Sequence, residues 1–218
     1  MGPPFGGQAM KESFSKLPAE KREKIVRACL LEFGAREYGK AALDRIVESA
    51  GISKGGLYEY ISSKEELYLY IVELSYSRLY EHLQGNLDEA GAALPSDILE
   101  RFALVSRAAV DFYVEHPEMI GIIANSSRID DASISGKARS IFDSHFDAIF
   151  EGAGARGLAF PKARLVELLK WMSVKTRSDF LAAMASGRDI PTVVSGYIDE
   201  RDFLLAVLGK GIYAEAAP

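Results

Sequence analysis

The sequence predicts an all-α protein, with a small N-terminal three-helix domain followed by a larger helical bundle. Apolar residues recur three or four positions apart through most of the chain, which is the spacing of one face of an α-helix. Glycine, proline and capping residues separate these stretches, as they do at helix ends. No stretch alternates apolar and polar residues between hairpin turns, so strands are not expected.

The first helix opens the N-terminal domain, which is predicted to span residues 16–63. Pro18 suits the first turn of a helix, and the apolar positions that follow form one face before Gly34. Residues 1–15 are predicted to be a flexible leader without the pattern of a signal peptide, and Met10 within it is a second possible start.

Two short helices complete this domain. The second helix begins near Leu43 and is closed by Gly51, a residue that suits a helix C-terminus. Ser53 is a candidate N-cap for the third helix, which is predicted to end near Tyr60.

The second domain is predicted to cover residues 64–214. Ser63 and Glu66 have the spacing of a capping box, which opens a long fourth helix to about Leu83. A segment rich in glycine and alanine, residues 85–96, is interpreted as a loop. The remaining helices are predicted at 97–115, 118–125, 132–151, 161–186 and 199–212.

Composition excludes several classes of protein. The hydrophobic share of 48% and the charged share of 26% are ordinary for a globular chain. The single cysteine, Cys29, excludes an intramolecular disulfide and is typical of the reducing cytoplasm, where we expect the protein. No apolar run is long enough to span a membrane. The net charge of −5 argues against a nucleic-acid binder, but residues 10–70 alone carry +1, which allows a local surface that faces DNA.

The most informative segment is residues 43–67, LDRIVESAGISKGGLYEYISSKEEL. Its apolar residues pack two short helices around the turn at Gly51. Its positions expected to be exposed lie on the second of them and are Lys54, Gly55, Gly56, Tyr58, Glu59 and Tyr60. This is the arrangement of a helix-turn-helix, whose second helix enters the major groove of DNA. Gly55 and Gly56 are poor helix formers, and a close approach of the backbone to DNA would explain them.

This segment resembles the DNA-binding domain of the tetracycline-repressor (TetR) family of bacterial transcription regulators. Twelve positions match the family pattern I-A-x-x-A-G-V-S-x-G-T-L-Y-x-Y-F-x-S-K-E-x-L: Ile46, Ala50, Gly51, Ser53, Gly55, Leu57, Tyr58, Tyr60, Ser63, Lys64, Glu65 and Leu67. Three departures are Ala41-Ala42 where a hydroxyl usually precedes the second helix, Gly56 in place of Thr, and the acidic Glu59 on the reading helix. The predicted DNA contacts are Lys40, Arg45, Ser53, Lys54, Gly55, Gly56, Tyr58, Glu59, Tyr60 and Lys64.

The same resemblance implies a homodimeric regulator, most often a repressor, that binds a double-stranded, pseudo-palindromic DNA operator and is released by a small apolar or aromatic effector. The residues expected to line the effector pocket are Phe102, Phe112, Tyr113, Phe146, Trp171 and Lys175. The residues expected in the dimer interface, on the last two helices, are Leu165, Leu169, Met172, Phe180, Phe203 and Val207. Each of these residues could instead belong to an ordinary core.

No pattern indicates an enzyme, a metal site or a cofactor. The spacing Gly152-x-Gly154-x-x-Gly157 resembles a dinucleotide-binding loop, but it follows a predicted helix rather than a strand. The histidines are too scattered for a local metal motif. The alternative function is an all-helical protein that binds a small molecule or a partner and carries a vestigial helix-turn-helix. The acidic net charge, Glu59 and the lost hydroxyls favour this alternative.

Overall fold

The computed structural model describes residues 10–126 and 129–213, and these residues form ten α-helices joined by short connections. The helices α1 to α10 span Glu12–Ser15, Ala19–Ala35, Leu43–Ala50, Lys54–Tyr58, Lys64–Glu89, Ile98–Glu115, Pro117–Asn125, Ala132–Phe150, Lys162–Ala185 and Ile190–Ile212. Within the described ranges, the only β-type pairing is one isolated bridge between Leu158 and Tyr213. The predicted fold class is therefore confirmed. Residues 1–9 of the predicted leader and residue 214 of the second domain lie outside the described residues.

The predicted helix-turn-helix is present with nearly the predicted ends. Helices α3 and α4 flank Gly51, which adopts a left-handed φ of 67° that favours glycine. The first bond of the capping box forms, because the Ser63 hydroxyl accepts from the Glu66 N–H at 3.1 Å, while the Glu66 carboxylate accepts at 2.9 Å from the N–H of Ser62, one residue before the N-cap. Local sequence signals therefore set both ends of this region.

The predicted leader and the predicted loop differ from the structure. Residues 12–15 form α1, and Phe14 in it is only 2% exposed, so this part of the leader is folded. Helix α5 continues to Glu89 instead of ending near residue 83. It does so because Leu83 and Leu87 lie on its buried face and pack with Ala108, which outweighs the low helix propensity of a single glycine.

The last helix begins nine residues earlier than predicted, at Ile190 instead of residue 199. The Asp189 carboxylate accepts from the Thr192 N–H at 3.0 Å and caps this end, and Pro191 lies in the first turn. An Asp followed by a first-turn proline is a recognised start signal, so the residues that define this end were visible in the sequence.

The chain packs as two compact units, and neither follows the predicted boundary after residue 63. The first unit contains the described residues up to 79 and those of 116–145, and the second contains 80–115 and those from 146 onward. The first unit thus joins helix α7 to the helices of the helix-turn-helix. In the second unit, α6, α9 and α10 pack together.

Two glycines allow α7 to pack directly on the backbone of α2. A Cβ atom on Gly121 would lie 2.6 Å from the Gly34 carbonyl oxygen, and a Cβ on Gly34 would lie 2.8 Å from the Glu118 carbonyl oxygen. The Asn125 amide then donates to the carbonyls of Phe33 and Gly34, at 3.2 and 3.1 Å. These carbonyls lie in the last turn of α2, so α7 satisfies acceptors that have no partner within the helix.

We expect Gly121→Ala to lower the free energy of unfolding by about 2–3 kcal/mol, because its methyl group would overlap backbone atoms that have no rotamer to change. Urea unfolding followed by circular dichroism measures this. The control is Gly136→Ala on α8, where a Cβ meets nothing within 4 Å and the change should stabilise by up to about 1 kcal/mol. Equal effects of the two substitutions would contradict the close approach.

Candidate nucleic-acid interface and ligand region

The reading helix of the predicted interface is α4, a single short turn of five residues. The Ser53 hydroxyl accepts from the Gly56 N–H at 3.0 Å and caps its first turn. Leu57 is fully buried and anchors the helix from below, while Ile46 and Val47 anchor α3 in the same core. The packing leaves the outer side of α4 exposed to solvent.

A buried carboxylate, Glu32 on α2, organises the approach to α3. One of its oxygens accepts from the Ala42 N–H at 2.9 Å and from the Arg45 guanidinium at 2.6 Å, and the other accepts from Arg36 at 2.8 Å. Ala41 and Ala42 have no side-chain acceptor for the start of α3. Glu32 supplies both an acceptor and a negative charge there. The guanidinium of Arg45 holds the pKa of the Glu32 carboxyl below its ordinary value. Sequence reasoning missed this residue, although a lone glutamate on an apolar helix face was a visible signal.

One side of the Arg45 guanidinium is therefore occupied by hydrogen bonds within the protein. Its guanidinium donates to Glu32 and also to the Lys40 carbonyl at 2.8 Å. The side chain stays 45% exposed, so a DNA contact by Arg45 would have to use the nitrogen atoms that remain accessible.

Two other predicted cations pair with exposed carboxylates. Lys54 lies 2.8 Å from Asp44, and this pairing raises the pKa of the Lys54 ammonium. Lys40 lies 2.6 Å from Glu37. Exposed pairs contribute little to stability, so both ammonium groups can be drawn to a phosphate at small cost.

The tyrosines at the end of the reading helix have different environments. Tyr58 is 43% exposed and lies on the outer surface beside the exposed Glu59. Tyr60 is only 7% exposed, and its hydroxyl accepts from Lys21 at 3.2 Å. We therefore correct the assignment of Tyr60 from a DNA contact to a packing residue, because its ring is buried.

Lys64 is also held by the protein. Its ammonium donates to the Tyr38 carbonyl and lies 4.4 Å from the centre of the Tyr38 ring. Partial burial lowers the pKa of this ammonium. Lys64 is thus placed to fix the 3₁₀ turn Tyr38–Lys40 before α3, with its charge only partly accessible.

The two glycines of the reading helix have helical backbones and little internal reason to be glycine. A Cβ on Gly55 would meet nothing within 4 Å, and a Cβ on Gly56 would only approach the Ser53 hydroxyl at 3.1 Å. Gly55 is exposed. No contact within the described residues therefore requires glycine at position 55.

Four of the six predicted effector residues lie in the interior of the second unit. Phe102, Phe112, Tyr113 and Phe146 are each at most 6% exposed. Phe146 stacks on Phe150 with ring centres 4.9 Å apart. The other two lie on the outside of α9: Trp171 is 65% exposed, and Lys175 pairs with Asp179.

The predicted dimer residues divide between core and surface. The core residues, which are at most 6% exposed, are Leu165, Leu169, Met172 and Phe180. Side chains already buried within one copy have little area left to bury against another, so we correct these four to core residues. Phe203 and Val207 are 62% and 54% exposed.

An open groove of about 540 Å³ lies elsewhere in the second unit, at the end of α8 and the start of α9. Its lining contains none of the predicted effector residues and consists of Asp147, Phe150, Glu151, Lys162, Ala163, Val166 and Glu167. In the described ranges, no helix is long and apolar enough to cross a membrane, and no three metal-binding side chains cluster.

The helix-turn-helix matches a known family. Residues 25–71 fit the sequence model of the bacterial regulatory proteins of the tetR family. The HTH-type transcriptional activator FasR of Mycolicibacterium smegmatis is 26% identical over 154 residues, which are 70% of this chain and 68% of that protein.

Solved structures are similar in fold over most of the chain. A TetR family transcriptional regulator from Chloroflexus aurantiacus J-10-FL has a TM-score of 0.66 at 20% identity, covering 95% of this chain and 100% of that chain. FadR from Bacillus subtilis, solved in complex with stearoyl-CoA, has a TM-score of 0.63 at 13% identity, covering 82% of this chain and 96% of that chain. At these identities the likeness establishes the fold.

We expect Glu32→Gln to lower the free energy of unfolding by about 2 kcal/mol at pH 7, because bonds to a charged acceptor contribute about 1.5–3 kcal/mol. Folding lowers the pKa of Glu32, so its stabilisation is complete above the ordinary glutamate pKa of 4.5 and is lost as the pH falls through the lowered value. The stability difference between the wild type and the variant should therefore shrink in acid, as measured by urea unfolding from pH 7 to pH 3. Glu20→Gln, in an exposed pair on the same helix, is the control and should change stability far less than Glu32→Gln does. An equal response of both variants would contradict the role of Glu32.

Proposed function

We propose that the chain, whose residues 25–71 match the sequence model of the bacterial regulatory proteins of the tetR family, is a homodimeric transcription regulator that binds a pseudo-palindromic DNA operator and responds to a small effector. Two reading helices would then enter successive major grooves, about one helical turn apart. FasR of M. smegmatis is called an activator, so the proposal covers regulation of either sign. Repression, which the sequence led us to expect, follows where the operator overlaps a promoter.

The observation that carries this proposal is the outer surface of α4. Lys54, Gly55 and Tyr58 are exposed there on a helix that is capped and anchored from the protein side. An ammonium and a phenol can reach phosphate oxygens or base edges, and a glycine lets the backbone come close. This set of groups suits DNA, and the core does not require any of them.

Binding would replace one charge partner of Lys54 by another. In the chain alone Asp44 neutralises Lys54 at 2.8 Å. Near DNA, a phosphate attracts the ammonium and repels the carboxylate, so the exposed pair opens. Asp44 therefore weakens DNA binding in this proposal, and its removal strengthens it.

The dimer in this proposal forms through the outer face of the α9–α10 hairpin. Trp171, Phe203 and Val207 are large apolar side chains that are more than half exposed there. Large apolar side chains that stay exposed on one copy are candidates for an interface. A pseudo-palindromic operator has two half-sites related by two-fold symmetry, so the partner that covers this face is a second copy of the chain.

The effector in this proposal enters the aromatic interior of the second unit, near Phe102, Phe112, Tyr113 and Phe146. Their buried rings favour an apolar ligand body. FadR from B. subtilis was solved with stearoyl-CoA, so this acyl thioester is the first probe to test for displacement of DNA. If the ligand binds one conformation of the protein more tightly than another, its binding would change the affinity for DNA and so couple the effector site to the DNA-binding surface.

A second candidate function is an all-helical protein that binds a small molecule or partner through a helix-turn-helix that no longer binds DNA. The carboxylates that pair with Lys40, Arg45 and Lys54 favour this alternative. It predicts weak binding to all DNA sequences alike.

We expect the purified protein to select a pseudo-palindrome from random and genomic DNA. In fluorescence anisotropy, Lys54→Met should lower affinity for this operator about tenfold and reduce the salt slope by about one, because one phosphate contact is lost. Asp44→Asn should raise affinity about three- to tenfold, since a carboxylate near phosphate is removed.

Arg139→Met and Asp143→Asn, the two halves of a partly exposed ion pair on α8, carry the same charge changes away from α4 and serve as controls. Their affinities should equal that of the wild type. Binding that is weak, blind to sequence and insensitive to Lys54 would overturn the regulator proposal in favour of the second candidate.

We expect Phe203→Asp and Val207→Asp to convert a dimer to a monomer, because each places a charge in the proposed apolar interface. Light scattering coupled to size-exclusion chromatography measures the mass, and circular dichroism checks the fold. Phe160→Asp, at another exposed aromatic, should leave the mass unchanged. A wild type that is monomeric at micromolar concentration, or variants that remain dimeric, would exclude this interface.

A further inference from the structure

The segment before the helix-turn-helix, residues 10–15, binds the far end of the reading helix; we call it the N-terminal brace. The Lys11 ammonium donates to the Tyr58 carbonyl at 2.9 Å, and the Ser13 hydroxyl donates to the Glu59 carbonyl at 2.7 Å. The Lys11 N–H donates to the Tyr60 carbonyl at 3.1 Å. Tyr58 is the last residue of α4, and Glu59 and Tyr60 follow it, so three successive carbonyls at and just after the end of the helix accept hydrogen bonds from the brace.

Apolar packing fixes the brace in place. Phe14 is 2% exposed, and its ring lies 6.2 Å from the ring of Tyr60 and 5.5 Å from that of Tyr70. Met10 is 9% exposed. The hydrogen bonds are therefore held in position by buried side chains.

The reading helix needs such support because of its length and composition. A helix leaves its last carbonyls without partners, and a single turn gains little from cooperativity. Helix α4 has five residues, of which Gly55 and Gly56 each disfavour the helix by up to about 1 kcal/mol. Ser53 caps its first turn only.

We propose that Lys11 and Ser13 are positioning residues that hold the reading helix in its DNA-binding conformation without contacting DNA themselves. The part of this inference that concerns DNA rests on the proposed function. The part that concerns the order of α4 stands on the contacts described above.

The main competing role for Lys11 is a direct contact with a phosphate. The two roles differ in their salt dependence. A lysine that contacts a phosphate releases a counterion, so its removal reduces the salt slope by about one. A lysine that acts through the reading helix changes the affinity and leaves the slope unchanged.

The first experiment measures amide hydrogen exchange of the full chain without DNA. Lys11→Met and Ser13→Ala should each speed exchange at the amides of residues 57–61 about three- to tenfold, because one bond to the end of the helix is lost. Lys16→Met and Ser15→Ala are the controls, since Lys16 pairs with Glu12 and the Ser15 hydroxyl donates to the Glu12 carbonyl within the brace itself. They should exchange like the wild type.

The second experiment measures anisotropy of the selected operator across a salt series. Lys11→Met and Ser13→Ala should weaken binding about three- to tenfold with an unchanged salt slope. A slope reduced by one in Lys11→Met would overturn the positioning role in favour of a phosphate contact. Faster exchange with unchanged affinity would overturn the link to DNA binding.

Unchanged exchange at residues 57–61 in both variants would overturn the brace itself. The exchange experiment does not need DNA, so it gives this answer even if the wild type binds no operator. In that case the proposed regulator fails while the brace is still decided on its own.

Discussion

A reading helix of one turn that contains two glycines is not stable by itself, so it depends on contacts with the rest of the first unit. Ser53 caps the start of α4, Leu57 anchors its buried side, and Lys11 and Ser13 donate to the carbonyl of its last residue, Tyr58, and to that of the next residue, Glu59. Helix α3 in turn depends on Glu32, which takes the place of a side-chain cap. The exposed surface of α4 therefore depends on groups that lie behind it and at its ends.

The sequence alone was sufficient where local chemistry decides the outcome. Gly51, Ser53 and the Ser63–Glu66 box define helix ends by rules that act within four residues, and the structure has them as predicted. It was insufficient where distant residues meet. Nothing local to Phe14 shows that it packs on Tyr60 and Tyr70, and nothing local to Leu83 shows that α5 continues past it.

The candidate sites show the same limit. Buried aromatic residues for a pocket and apolar residues for a dimer have the same one-letter pattern, so Trp171 and Met172, which are neighbours in sequence, exchange their predicted environments. The cations of the interface were identified by type and spacing, but their partners were not. Glu32, Glu37 and Asp44 come from three different segments, and only the fold shows that they hold Arg45, Lys40 and Lys54.

The backbone contact between Gly34 and Gly121 has a consequence for how this protein can be divided. The two glycines lie far apart in sequence, but their backbones are in direct contact. A side chain at either position would meet backbone atoms, so a substitution at the other position cannot make room for it. A chimaera that joined residues 1–63 to the ligand domain of another regulator would separate these two halves and uncover the apolar side of α2. The transplantable module is instead a discontinuous one, in which α7 travels with the helix-turn-helix.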